Sequence, residues 1–210
     1  CFEEGYEKVI ALTLSKGLSG TYQSALLARN MSERTEDIHI LDTSNAAYGN
    51  EMLALELIKL KAKHQDAKEV VADMQKVIDA AGLFFTVENL HSLQKGGRLS
   101  KAQAMIGTVL RIKPIIRLMD GKLSLWHKER THKKVIDKMV DTVVADGKDS
   151  KQLVFRIIDK KSTDNATALK EALLEHYPDA EVTWQDYLGP VFSIHVGKKG
   201  FGMSWFFRQK

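Results

Sequence analysis

The chain has 210 residues, 44% hydrophobic and 28% charged, which is ordinary for a globular protein and enough for one large domain or two small ones. Its one cysteine, Cys1, excludes an intrachain disulfide and fits a reducing, cytoplasmic setting, and no apolar run reaches the length of a membrane span. The net charge of +4 permits an anionic ligand or an acidic partner without requiring either.

Residues 1–6 read as the tail of a helix, because Phe2 and Tyr6 share one helical face, and a further N-terminal portion is therefore expected ahead of Cys1. The apolar run 9–14 reads as a buried strand. A turn with two glycines and several hydroxyls follows, then a helix over 21–31 that Ser19 or Thr21 can cap. Residues 38–42 form a second strand, closed by Thr43-Ser44-Asn45. A helix over 46–65 shows Met52, Leu53, Leu57 and Leu60 on one face, widened by Leu55 and Ile58. A helix over 67–81 carries Val70, Val71, Met74, Val77 and Ile78 at helical spacing, with Gly82 as its stop. The pattern β-α-β-α-α predicts an α/β domain with parallel strands over residues 1–82.

Residues 83–210 read differently. A strand over 83–87 precedes the Gly96-Gly97 pair and a helix over 101–110. Asp120-Gly121 between the alternating runs 113–119 and 122–126 predicts a β-hairpin. A helix over 132–144, a strand over 153–158, a helix over 165–177 and a strand over 181–185 follow. The hairpin implies antiparallel pairing, hence a second α/β domain with a mixed or antiparallel sheet and helices on one face.

Three stretches carry candidate chemistry. In SKGLSGTYQSA, residues 15–25, a helix start offers unpaired N–H groups and a partial positive charge, and Ser15, Ser19 and Thr21 add hydroxyls. Gly17 and Gly20 allow close backbone approach. The spacing is neither that of a nucleotide P-loop nor of a dinucleotide fingerprint, so a small anionic group, phosphate or carboxylate, is the natural guest. A glycine turn with a capped helix explains the same residues. In ENLHSLQKGGRLSKAQ, residues 88–103, Lys95, Arg98 and Lys101 surround two glycines, as a basic docking loop or a solvated turn. In YLGPVFSIHVGKKGFG, residues 187–202, Pro190 suits the first position of a helix and His195 sits in an apolar run, flanked by glycines that suggest backbone close to a ligand.

Two rival readings use the same residues. Ser19 and His195 can be paired as nucleophile and base of an acyl hydrolase, with Asp42 orienting the histidine, although no G-x-S-x-G elbow is present. The basic stretch KERTHKK suggests nucleic acid, but only 8% of residues are aromatic and none interleaves with it, so no nucleic-acid partner is expected. The seven histidines are scattered without a ligand spacing, so no metal is expected.

SKGLSGTYQSA, LQKGGRLSKAQAMIGTVLRIKPIIRLMDGKL and GPVFSIHVG, in this order, closely resemble the DegV family of bacterial fatty-acid-binding proteins, which includes the B subunit of the fatty-acid kinase system. The resemblance runs from about Gly5 to Phe207. It implies two α/β domains with one long-chain fatty acid in a tunnel between them, no cofactor and no catalysis by this chain. Ser19, with Gly20 and Thr21, would hold the carboxylate, and His195 would belong to the same polar network. Arg98 of G-G-R-L-S and Arg130 would face a kinase subunit that makes the acyl phosphate, and transient membrane contact would serve lipid exchange. At about 0.8 kcal/mol per methylene, a C16 tail contributes roughly 11 kcal/mol before ordering and desolvation costs. Met105, Ile106, Val109, Leu110, Ile115, Phe192 and Ile194 are candidate linings. The sequence departs from the family in three places. The T-D-S and T-S-Q-P-S segments, the latter carrying a carboxylate-binding threonine, would precede Cys1. Gly197-Lys198-Lys199 stands for G-P-G, and Arg130-Thr131-His132 for R-G-R.

Overall fold

The structure, a computed structural model, describes residues 1–88, 90–99, 112–147 and 152–208. The helix expected over 101–110, and with it Met105, Ile106, Val109 and Leu110, lies outside the described residues. The chain divides into two compact units, Cys1–Ala80 and Ala81–Lys210.

In the first unit, β1 (Val9–Thr13) and β2 (Ile38–Asp42) pair in parallel, with Val9 opposite Ile38 and Thr13 opposite Asp42. Helix α1 (Thr21–Asn30) connects them. Helices α2 (Tyr48–Lys63) and α3 (Ala67–Asp79) pack together. The buried face of α2 carries Met52, Leu53 and Leu60 as the spacing predicts, whereas Leu55 and Ile58 are 48% and 66% exposed and do not widen it. Helix α3 stops at Ala80, and Gly82 opens the next strand instead of ending the helix.

The second unit is a six-stranded mixed sheet in the order β5-β4-β3-β8-β6-β7. Its strands are β3 (Gly82–Val87), β4 (Lys113–Met119), β5 (Lys122–Glu129), β6 (Gln152–Lys160), β7 (Glu181–Gln185) and β8 (Gly200–Arg208). The β4–β5 hairpin turns on Asp120 and Gly121, both at positive φ, as a two-residue turn of this hand requires. Helices α5 (His132–Asp146) and α6 (Thr163–His176) cover one face, where Phe84, Met139, Phe155, Leu169 and Trp205 form the main core. A smaller cluster of Phe85, Val87, Leu93, Leu99 and Ile116 lies on the other face. There α4 (His91–Lys95) and α7 (Pro190–Val196) pack against each other. Helices therefore sit on both faces, not one: α7 starts at Pro190, as its place in the sequence suggests, and α4 is short enough to hide in a stretch that reads as a loop.

The strand missing from the sequence reading is β8, which occupies the centre of the sheet, antiparallel to β3 and β6. Eight of its nine residues are buried. Its two glycines lower strand propensity and conceal it. They are there for packing: a Cβ on Gly200 would strike the carbonyl oxygen of Thr86, and one on Gly202 the carbonyl oxygen of Phe84. The neighbour that a side chain at either position would meet is the β3 backbone.

Candidate functional site

In the first unit the candidate residues sit where β1 and β2 end. The parallel register brings the two following loops side by side, and hydrogen bonds tie them. Ser15, fully buried, donates its N–H to the Asn45 carbonyl at 2.8 Å, and the Thr43 hydroxyl donates to the Thr13 carbonyl at 2.8 Å. The Ser15 carbonyl then accepts the N–H groups of Leu18 and Ser19 at 2.9 and 3.1 Å, which curls residues 15–19 into the start of α1.

Ser19 and Thr21 are brought together. Their hydroxyl oxygens are 2.8 Å apart, and Ser19 Oγ accepts the Thr21 N–H at 3.3 Å. The N-cap is Gly20, between the two residues expected to cap. Gly20 has an ordinary φ of −73° and nothing within 4 Å of a notional Cβ, so neither its conformation nor a neighbour in the chain demands glycine. The helix start is open, polar and carries hydroxyl donors. Lys16, the nearby cation, is turned to its own acid: Nζ lies 3.7 Å from Asp42 Oδ2 and 5.7 Å from the Tyr22 ring centroid. What remains at the helix start is a neutral hydroxyl-and-amide cradle, which suits a small anionic group, phosphate or carboxylate.

Asp42 serves the loop, with Oδ1 accepting the N–H groups of Ser44 at 2.9 Å and Lys16 at 3.3 Å. The hydrogen bonds of Ser19 go to a hydroxyl and an amide of Thr21. Among the described residues no imidazole or carboxylate is hydrogen-bonded to the Ser19 hydroxyl, the contact that activation by a base calls for.

In the second unit His195 and Arg98 are brought together, an arrangement sequence spacing could not reveal. His195 lies in the last turn of α7, and its imidazole packs directly on Gly96, where any Cβ would strike Nδ1. The Gly-Gly pair is thus two separate requirements. Gly96 makes room for the ring. Gly97, at φ 71°, turns the chain out of α4 so that the N–H groups of Arg98 and Leu99 reach the Leu93 carbonyl at 3.1 and 3.2 Å. Arg98 is exposed, and its Nη1 donates to the Gly96 carbonyl at 2.6 Å, a cation placed at a helix C-terminus.

Burial, and secondarily the Arg98 guanidinium, hold the His195 imidazole below its ordinary value of 6.5, so the ring is neutral at pH 7. Its Nδ1 is buried and makes no hydrogen bond among the described residues. A neutral imidazole can offer a carboxylate one N–H without the grip of an ion pair. Arg98→Ala is expected to raise the His195 pKa while leaving it below 6.5, since burial is the larger cause. An NMR titration of the imidazole checks this, and an unmoved pKa would contradict the proximity argument.

Arg130 is exposed in the turn between β5 and α5. Of the expected linings within the described residues, Ile115 is fully buried in the core under α5 and α6, Phe192 is half-buried and Ile194 is 72% exposed. No helix among the described residues is long and apolar enough to cross a membrane. No group of three or more metal-ligating side chains occurs among those residues either.

A family model described as "Uncharacterised protein, DegV family" matches residues 1–208. A DegV domain-containing protein of Staphylococcus aureus is 30% identical over 203 residues, covering 97% of this chain and 70% of that protein. A fatty-acid-binding DegV family protein from Thermus thermophilus superposes with a TM-score of 0.85 at 27% identity, covering 99% of this chain and 73% of the other. The Streptococcus pneumoniae fatty acid kinase (Fak) B3 protein, whose structure is loaded with linoleic acid, gives 0.83 at 26% identity, covering 98% and 73%.

Proposed function

This chain belongs to the DegV family, and from that premise we propose that it binds a long-chain fatty acid and presents its carboxylate to a fatty-acid kinase. The observation that carries the reading is the Ser19–Thr21 hydroxyl pair at the open start of α1. Fatty acids bound to solved relatives support it. In this reading Ser19, Gly20 and Thr21 hold the carboxylate, and His195 is the neutral histidine of the headgroup network. The acyl tail supplies most of the affinity. The chain is a carrier without a cofactor; it works in the cytoplasm and meets membranes only to exchange lipid.

Ser19→Ala is expected to weaken fatty-acid binding about tenfold, roughly 1.5 kcal/mol, the low end for a hydrogen bond to a charged group because the Thr21 hydroxyl and amide remain. Displacement of a fluorescent fatty acid measures it; full affinity would remove Ser19 from the headgroup site.

Arg98 and Arg130 are assigned to the kinase. Both are exposed cations of the second unit, and Arg130 stands on a turn without a core role. Arg130→Ala is expected to bind fatty acid normally but to be a poor substrate carrier for acyl-phosphate formation with a kinase subunit. Unimpaired phosphorylation would show that the docking surface lies elsewhere.

A further inference from the structure

The second unit holds a cavity of about 520 Å³ that the fatty-acid reading does not use. It lies at one end of the six-stranded sheet, where β3 ends, β4 and β8 begin, and α5 and α6 both start. The first-turn N–H groups of a helix have no partner within it and carry partial positive charge, and the first turn of α6 lines the cavity, whereas that of α5 is capped by the Thr131 hydroxyl. Lys113, Lys161 and Lys199 line the cavity with His132 of α5 and Thr163 and Asn165 of α6. Glu88 and Asp164 are its acidic members, so the lining is cationic on balance.

Thr86 supplies an independent sign of a ligand. It lines the cavity, is 2% exposed, and its Oγ1 makes no hydrogen bond among the described residues. Strand alternation puts it on the face of Phe84, and it pairs across the sheet with Phe201; both phenylalanines belong to the core under α5 and α6. Its hydroxyl therefore points to the side where the helices begin. Beside it, His132 packs 5.6 Å from the Phe201 ring, and its Nδ1 is also buried without a hydrogen bond among the described residues. Buried polar atoms left unsatisfied are costly and few, and two at one cavity are best accounted for by a bound polar group.

The turn into α6 is held by its own side chains. Lys161 holds φ at 56°, unusual for a lysine. Asp159, buried beneath, accepts the Ser162 N–H at 2.8 Å and the Thr163 hydroxyl at 2.7 Å. That carboxylate takes the Ser162 N–H and the Thr163 hydroxyl, so the groups left to meet an anion are the lysines and the N–H groups of the α6 first turn beyond Ser162.

We propose that this cavity binds the phosphate group of a small soluble molecule, with the anion on Lys113, Lys161, Lys199 and the α6 helix start. A cavity of this size is in the range of small-molecule sites and exceeds a bare phosphate, so the phosphate of a hydroxylated phosphomonoester fits best, its hydroxyls facing Glu88 and Asp164. The proposal is independent of the fatty-acid reading.

Calorimetric titration with glycerol 3-phosphate, inorganic phosphate and glycerol tests it. Glycerol 3-phosphate is expected to bind saturably at one site and glycerol not at all. The Lys161→Asn/Lys199→Ser double variant, in which asparagine tolerates the positive φ at 161, should weaken binding at least about tenfold. Thr86→Val, nearly the same shape, should also weaken it and keeps the test open if the lysine variant misfolds. A phosphomonoester tighter than inorganic phosphate assigns the site to a metabolite; equal affinity assigns it to phosphate itself. Absence of saturable binding by either anion, or undiminished binding in a folded variant, overturns the proposal.

Discussion

Gly202→Ala is expected to cost the second unit about 3 kcal/mol, the upper part of the range for overpacking. Gly202 stands in the central strand opposite Phe85, and a methyl group there meets the Phe84 carbonyl and the Phe85 Cα, which are backbone and cannot rotate away. Relief requires β3 and β8 to part, and that opens the core around Phe84 and Trp205, whose rings lie 4.4 Å apart. A urea titration followed by tryptophan fluorescence would read the change as a lower midpoint at unchanged slope. A midpoint within experimental error of the parent would mean that β8 is not held against β3 as described.

Gly96→Ala tests the site in the same currency. Its methyl group collides with the His195 ring and comes within 3.2 Å of the Ser92 carbonyl oxygen. The imidazole is the movable partner, so the expected outcome is displacement of His195 and loosening of α4 against α7, at about 2 kcal/mol. Two readouts separate this from a general loss of stability. The His195 pKa should rise toward 6.5 as the ring leaves its buried position near Arg98. Fatty-acid affinity should fall with it. Gly97→Ala makes the contrast: it meets no neighbour and is strained only by its positive φ, so it should lower stability without moving the His195 titration.

Much of the fold was legible where local rules decide it. Asp120-Gly121 announces its hairpin because only a few residues accept two consecutive positive φ values. The helices α3 and α5 are visible from periodicity, since one face of each meets a core. The misses have physical causes. β8 is central and buried along almost its whole length, and its aromatic run Trp205-Phe206-Phe207 is preceded by Gly200 and Gly202, which read as loop residues until the close approach of β3 is known. The short helix α4 is held by its cap and by Leu93 beneath it, with too few residues to display a period. Within the site, the Ser19–Thr21 turn could be read because its parts are contiguous. The seating of His195 on Gly96 could not, because it depends on two elements distant in sequence that meet only after the sheet forms. The two unsatisfied polar atoms of Thr86 and His132 were equally invisible, since each residue type is ordinary until its burial is known.

Native mass spectrometry of the purified chain, followed by denaturation and lipid extraction, tests the central claim most directly. The account predicts a mass excess equal to one fatty acid per chain, lost on denaturation and recovered in the extract, or restored when a long-chain fatty acid is added. A chain that stays bare after addition of saturated and unsaturated long-chain fatty acids, while its circular dichroism shows it folded, would contradict it.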